Sequence, residues 1–367
     1  MLILQAERDA LLKPLRTVTG IIERRHTLPI LSNVLIENKN GQTSLLSTDL
    51  EIQIHTTGFE SSSEDFRITT NAKKLQDILQ ALPDGANVSL DMNKEKLTLK
   101  AGKSRFNLQT LPAEDFPLIA VDEEISACFS INQGVLKQML TQVQYAMAVQ
   151  DIRYYLNGLL MQVEGNRLDL VATDGHRLAF ASATIDAELP KTEVILPRKT
   201  ILELSKLLAQ PEDDITIELL NNQVRFRLGG SIIVSKVLDG KFPDYTRVIP
   251  MDNNKIFLVG RTQLLGALER ASILANEKFR GVRLLIKPGV LSIVCSNNDQ
   301  EEAQDDLEIA YQDEELEVSF NIAYLMDVLR NVTVDNLQLA FGDANRSSLF
   351  TIPENADFKY IVMPMRI

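Results

Sequence analysis

Two side chains suited to moving a proton stand two positions apart in Val171-Ala172-Thr173-Asp174-Gly175-His176-Arg177-Leu178, and His176 is one of only three histidines in 367 residues. In an extended run such residues share a face, so Asp174 and His176 could form an acid/base pair. A hydrolase built on them would also need an activated nucleophile, and no Gly-x-Ser-x-Gly signal is present. His26, His55 and His176 lack His-Glu-x-x-His spacing, and Cys128 and Cys295 match no metal or Cys-x-x-Cys pattern. Gly229-Gly230 reads as a hairpin turn, because no Gly-Lys-Ser/Thr completes a phosphate loop. The preferred reading of His176 is a turn residue bonded to backbone, with no catalytic residue, metal or cofactor. A hydrolase-like enzyme using Asp174 and His176 is the alternative.

The same stretch recurs in altered form, which points away from chemistry. Leu45-Leu46-Ser47-Thr48-Asp49-Leu50-Glu51-Ile52 precedes it by about 125 residues, and Ser292-Ile293-Val294-Cys295-Ser296-Asn297-Asn298-Asp299 follows by about as much. Each is a β-rich run, a polar turn and a second run. A closing phrase repeats as well: Asp115-Phe116-Pro117, then Lys241-Phe242-Pro243-Asp244-Tyr245. The chain therefore reads as three copies of one unit, with domains expected at 1–121, 128–246 and 248–367.

Each copy alternates helix, strands, helix, strands. In copy one a helical pattern spans Ala10 to Val18, where Pro14 should kink or restart it. Strands follow, with a turn at Asn40-Gly41, and a second helix is capped by Asn71 and stops before Pro83. Copy two predicts a helix over Gln133–Ala148, strands at Leu156–Val163 and Leu168–Ser182, and a helix opening at Pro197. Copy three predicts helices near Thr262–Asn276 and from Asn321 onward. The fold class is α+β with antiparallel sheets.

Composition is that of a folded protein, 45% hydrophobic and 24% charged. Far-separated cysteines, no signal-peptide layout and no apolar run near ~18 residues predict a cytoplasmic protein away from membranes. The net charge of −12 alone argues against nucleic acid, yet Lys13, Arg16, Arg24, Arg25, Lys73, Lys74, Lys137, Arg198, Lys199, Lys206, Arg261, Arg270 and Arg330 fall in or beside the helices of every copy. If each half-copy lent one helix to a common inner wall, six helices would leave a hole of about 9 Å, and twelve, from two chains, about 28 Å. Only the second passes a DNA duplex. Lys103 and Arg105 on one predicted strand, against the acidic run Gln300–Asp306, invite head-to-tail pairing of two chains.

Five phrases then carry a resemblance over essentially the whole chain: Thr27-Leu28-Pro29-Ile30-Leu31, Asp151-Ile152-Arg153-Tyr154-Tyr155-Leu156-Asn157-Gly158, Ala172 to Leu178, Asn276-Glu277-Lys278-Phe279-Arg280-Gly281-Val282-Arg283, and Val362-Met363-Pro364-Met365-Arg366. Together they resemble the bacterial β sliding clamps, the processivity subunits of DNA polymerase III. The resemblance implies three clamp domains per chain, with sheets outside and helices lining a homodimeric ring. It implies no catalysis, but sequence-independent tethering to double-stranded DNA. Partners would be the DNA polymerase III catalytic subunit, an ATP-driven clamp loader, and other polymerases and repair proteins that bind through short peptide motifs.

Carried over residue by residue, the resemblance gives DNA contacts to Arg25, Lys73, Gln150, Tyr154 and Tyr155. A partner-peptide cleft would comprise Arg153, Leu156, Thr173, Gly175, His176, Arg177, Leu178, Pro243, Arg247, Val248, Asn321, Tyr324, Ser347, Ile361, Met363, Pro364, Met365 and Arg366. Asn345 departs from the aliphatic residue expected there. The dimer interface would set Lys103, Arg105 and Phe106 against Ile273, Leu274, Glu301, Glu302 and Asp305. A protein scaffold that never meets DNA is a third reading.

Overall fold

A computed structural model describes residues 2–23, 28–61, 64–93, 96–121, 123–276 and 278–366. Among them are six α-helices, two in each copy: α1 (Arg8–Thr19), α2 (Ala72–Ala81), α3 (Gln133–Val143), α4 (Arg198–Leu207), α5 (Arg261–Ser272) and α6 (Ile322–Asn331). The cap expected at Asn71 is present, its side chain accepting a hydrogen bond from the Lys74 N–H; Asn321, where a helix was expected to start, caps α6 by accepting from Ala323. Asn40 and Gly41 both take left-handed backbone angles, φ 51° and 78°, which suits a two-residue hairpin.

Three local expectations are corrected. Helix α1 runs through Pro14 as one element, so the helix does not restart there. Leu11, Leu12, Leu15 and Val18 are all buried on its inner face, and at about 1.5–3 kcal/mol each they outweigh a proline cost of about 3 kcal/mol. Helix α3 stops at Val143 instead of reaching Ala148, and the chain tightens into a 3-10 turn over Gln144–Ala146. The Arg177 guanidinium donates to the Tyr145 carbonyl there, satisfying a group that a helix end leaves open. In copy two the break expected between Val163 and Leu168 is a bulge at Gly165, φ 60°, within one strand, Gly158–Thr173. The true turn is Asp174-Gly175-His176, and the next strand continues to Pro197.

The chain forms two compact units. One comprises Met1–Gln133 with Leu202–Val237 and carries a 12-stranded antiparallel sheet. In it copy one joins copy two where Ile52–Glu60 pairs with Ser231–Lys236. The other comprises Gly134–Ile201 with Leu238–Ile367. Its six-stranded sheet has the order Gly158–Thr173, Arg177–Pro197, Asn355–Val362, Ser348–Ile352, Asn336–Phe341, Lys255–Gly260. A four-stranded sheet orders Glu302–Glu308, Val290–Ser296, Gly281–Lys287, Leu316–Asn321. Packing borders thus cut through the second copy, because strands of successive copies pair directly.

The repeated turn is the same device each time. In copy one the Asp49 carboxylate accepts from the N–H groups of Glu51 and Ile52, while Thr48 Oγ1 accepts from Leu50 N–H and donates to the Ile52 carbonyl. In copy two Asp174 accepts from His176 and Arg177, and Thr173 Oγ1 bonds Gly175 N–H and the Arg177 carbonyl. In copy three Asn297 takes the role, accepting from Asp299 and Glu301. Short polar side chains that bond their own backbone two residues on are turn formers.

Candidate functional site

A cavity of about 560 Å³ opens beside the Asp174 turn. Strand pairing puts Leu178 opposite both Thr173 and Ile361, so three strand ends meet there. Leu178 and Ile361 belong to a buried cluster with Leu160, Val171, Phe180, Ile195 and Phe242, against which Tyr155, Tyr245 and Ile249 pack. This cluster makes an apolar floor, and Phe242 of the closing phrase is part of it, as Phe116 is of its own cluster with Leu35. After the last strand the Met363 N–H donates to the His176 carbonyl at 2.9 Å and the Met365 N–H to the Ser319 carbonyl at 2.8 Å. Met363 is thereby held at the cavity's edge, and the segment beyond it leads away toward Ser319.

Polar groups gather at the rim as local pairs. Arg153 forks onto Asp151 at 3.0 and 2.9 Å, Arg247 meets Asp244 at 2.7 Å, and Arg346 meets Asp343 at 3.2 Å. Each arginine is aimed by an aspartate two or three residues earlier. The Arg153 hydrogen bonds hold the Asp151 carboxyl down at about 2, and hydrogen bonding from Thr246, with Arg247 nearby, lowers that of Asp244. Such an arrangement, an apolar floor with a few convergent polar groups, can bind an extended peptide.

Of the residues expected in the cleft, Arg153, Leu156, Thr173, Gly175, His176, Arg177, Leu178, Pro243, Arg247, Val248, Ser347, Ile361 and Met363 line this cavity. The other five lie off it. Asn321 caps α6, and the Tyr324 ring lies under the Arg177 guanidinium at 4.4 Å. Met365 and Arg366 line a separate depression with Asn276, Phe279 and Arg283, and Pro364 lines neither. Residues not foreseen also line the cavity: Tyr155, Asp244, Tyr245, Ile249, Pro250, Met251, Asp252, Asn253 and Arg346. The repeated Phe-Pro phrase was the available signal for the 244–253 segment, since it marks where one copy passes to the next. Asn345 is exposed, bonds Asp343 through its N–H and does not line the cavity.

The residues assigned to DNA are dispersed. Lys73, in the first turn of α2, is exposed and paired with Asp77 at 3.0 Å. Gln150 has φ 57° and Tyr154 is 74% exposed. Tyr155, its neighbour in a 3-10 turn, faces the cavity instead, as side chains about 120° apart around such a turn require. Arg24, Arg25 and His26 lie outside the described residues. Several helix cations are engaged within the chain: Arg261 donates to the Leu329 and Val334 carbonyls, Arg198 to Met147, and Arg330 pairs with Glu269.

The residues assigned to the dimer interface sit on two edges. In strand Ser104–Leu111, positions 104–109 pair only with Lys96–Ala101 among the described residues, and Phe106 lies opposite Leu99. Lys103 and Arg105 are exposed. Among the described residues, strand Glu302–Glu308 pairs only with Val290–Ser296, and Ile273, just beyond α5, is 78% exposed. Leu274 is half-buried. The acidic run is not one patch: Asp305 pairs with Arg270 at 2.6 Å, while Glu302 projects from the opposite face of the strand toward Arg283. Glu301 bonds the Asn297 amide.

Neither thiol is poised as a nucleophile, since burial pushes Cys295 up to about 11 and also raises Cys128. No cluster of three or more His, Cys, Asp or Glu able to hold a metal occurs among the described residues, and no helix there is long and apolar enough to cross a membrane.

Three family descriptions match the chain in sequence: DNA polymerase III beta subunit, N-terminal domain over residues 2–120, central domain over 130–244 and C-terminal domain over 246–366. The beta sliding clamp of Pseudomonas aeruginosa is 44% identical over 98% of this chain and 99% of its own, and that of Escherichia coli K12 is 40% identical over the same shares. A crystal structure of the Pseudomonas aeruginosa sliding clamp bound to griselimycin superposes with a TM-score of 0.95 at 43% identity, covering all of both chains. Caulobacter crescentus pol III beta gives 0.93 at 36% identity over 99% of each. The chain belongs to the bacterial β sliding clamps, the beta subunits of DNA polymerase III.

Proposed function

We propose that the cavity at the Asp174 turn is where short peptide segments of partner proteins dock on a DNA clamp. The chain is a non-catalytic processivity factor: as a ring-shaped homodimer it encircles duplex DNA and tethers the replicative polymerase. Three domains, over 1–121, 128–246 and 248–367, build each half of that ring. An ATP-driven loader opening it, other polymerases and repair proteins sharing its clefts, and a cytoplasmic site of action complete the reading, since bacterial chromosome replication takes place there.

One observation carries the peptide reading: an apolar floor of Leu178 and Ile361 is edged by Met363, held by its backbone to His176. A thioether adapts to varied side chains, which suits a site serving several partners through glutamine-and-leucine-type motifs. DNA would be met through Lys73, Gln150 and Tyr154, with Arg25, by contacts to phosphate rather than to bases. Subunits would join by strand Ser104–Leu111 of one chain meeting Glu302–Glu308 of the other, with Phe106 against Ile273 and Leu274. Deleting residues 363–367 tests the cleft. Calorimetry with a polymerase-derived peptide should show binding lost while the dimer persists; unchanged affinity would refute the assignment.

A further inference from the structure

Arg177 lines the cavity but spends little of itself on it. Its side chain is only 10% exposed, and its guanidinium is held on every side. Nε donates to Asp174 at 3.1 Å, Nη1 to Asp327 of helix α6 and Nη2 to the Tyr145 carbonyl at 2.8 Å. The plane of the group lies over Tyr324, also on α6. A cation so placed has few donors left for a ligand. Its evident work is to hold the Asp174 turn against α6 and the end of α3.

We propose that Asp327 is a positioning residue of the peptide cleft, fixing the Asp174-Gly175-His176 turn through Arg177 without touching the peptide. The inference rests on the cleft reading above. Arg177 can be buried as a cation only because carboxylates neutralise it. Burial works against its charge, yet the Tyr360 hydroxyl, Asp327 and Asp174 together raise its pKa. Take away the Asp327 charge and, of the two carboxylates it bonds, Arg177 keeps only Asp174, which sits on the turn itself instead of a helix. The guanidinium then swings with the turn, and the His176 carbonyl that anchors Met363 moves with it. Asp327 itself is anchored in the helix, its carbonyl accepting from the Asn331 amide. The corresponding turn of copy one has Ile52 where copy two has Arg177, so the link is not a general feature of the repeated turn.

A double-mutant cycle tests the link in the full-length dimer. The readout is fluorescence anisotropy with a labelled peptide of the glutamine-and-leucine type. Asp327→Asn should weaken binding about tenfold, and Asp327→Glu should recover most of that loss. In an Arg177→Met background, Asp327→Asn should change nothing further. Equal losses in both backgrounds would overturn the proposal, as would an Asp327→Asn protein that binds like wild type. Should Arg177→Met fold poorly or not bind, a crystal structure of Asp327→Asn decides: the Gly175-His176 turn is displaced if the proposal holds and undisturbed if it does not. The variant lacking residues 363–367 runs alongside. If that truncation binds normally, the cleft reading fails; if it loses binding while the Asp327 variants keep it, only the positioning role fails.

Discussion

The Asp174 carboxylate turns back onto the His176 peptide N–H, 2.9 Å away, rather than outward as a base for its imidazole. Its second oxygen is taken by Arg177. The pair that looked like acid and base is a turn and its filler, and the counterpart turns at Asp49 and Asn297 form without any histidine.

Gly175 follows from that turn. Its φ is +90°, and a Cβ there would stand 3.1 Å from the Arg153 guanidinium. Gly175→Ala should cost about 1–3 kcal/mol of local strain and push Arg153 off Asp151. Peptide affinity should fall about tenfold, with little change in dimerisation. Calorimetry against wild type checks this, and an alanine variant with full affinity would show that the turn geometry does not matter to binding. Leu50 takes φ 77° at the matching place in copy one, so the fold tolerates a side chain where no arginine crowds it.

Assembly is tested at Ile273, 78% exposed just beyond α5 on the proposed dimer edge. Ile273→Ala with Leu274→Ala should give monomers by sedimentation at micromolar protein, the dimer weakening ~100-fold or more. Persistence of a dimer would move the interface elsewhere. High salt should weaken the wild-type dimer only modestly, because Asp305 and Glu302 already have partners within their own chain and exposed pairs contribute little.

Local signals were legible in the sequence and distant ones were not. Asn71, Asn321 and Asn40-Gly41 act on their nearest neighbours, so residue type alone placed two helix starts and a hairpin. Pro14 misled because the burial that overrides it comes from elements far along the chain. Period-two alternation sends Glu302 and Asp305 of the acidic run to opposite faces, which a count of charges does not show. In the cleft, family phrases located the strand ends and Met363. The 249–253 segment follows from the Phe242-Pro243 phrase, but Arg346 comes from a distant part of the chain, and Asp327 meets Arg177 across 150 residues.

Contacts to DNA should be electrostatic and indifferent to sequence. Lys73 is exposed, and its pairing with Asp77 is of the weak surface kind that a phosphate can displace. Lys73→Glu should slow loading several-fold, leave the dimer intact and lower the slope of log affinity against log salt by about one. A strong preference for one duplex sequence, measured by competition, would contradict binding through phosphates.

Retention on DNA of different topology tests the central claim most directly. Loaded onto nicked circular DNA with a clamp loader and ATP, the protein should stay bound through gel filtration at a salt concentration that abolishes simple electrostatic binding. Cutting the circle once with a restriction enzyme should release it, because a ring slides off an end. Equal retention on circular and linear DNA would contradict enclosure and return the chain to an ordinary DNA-binding protein.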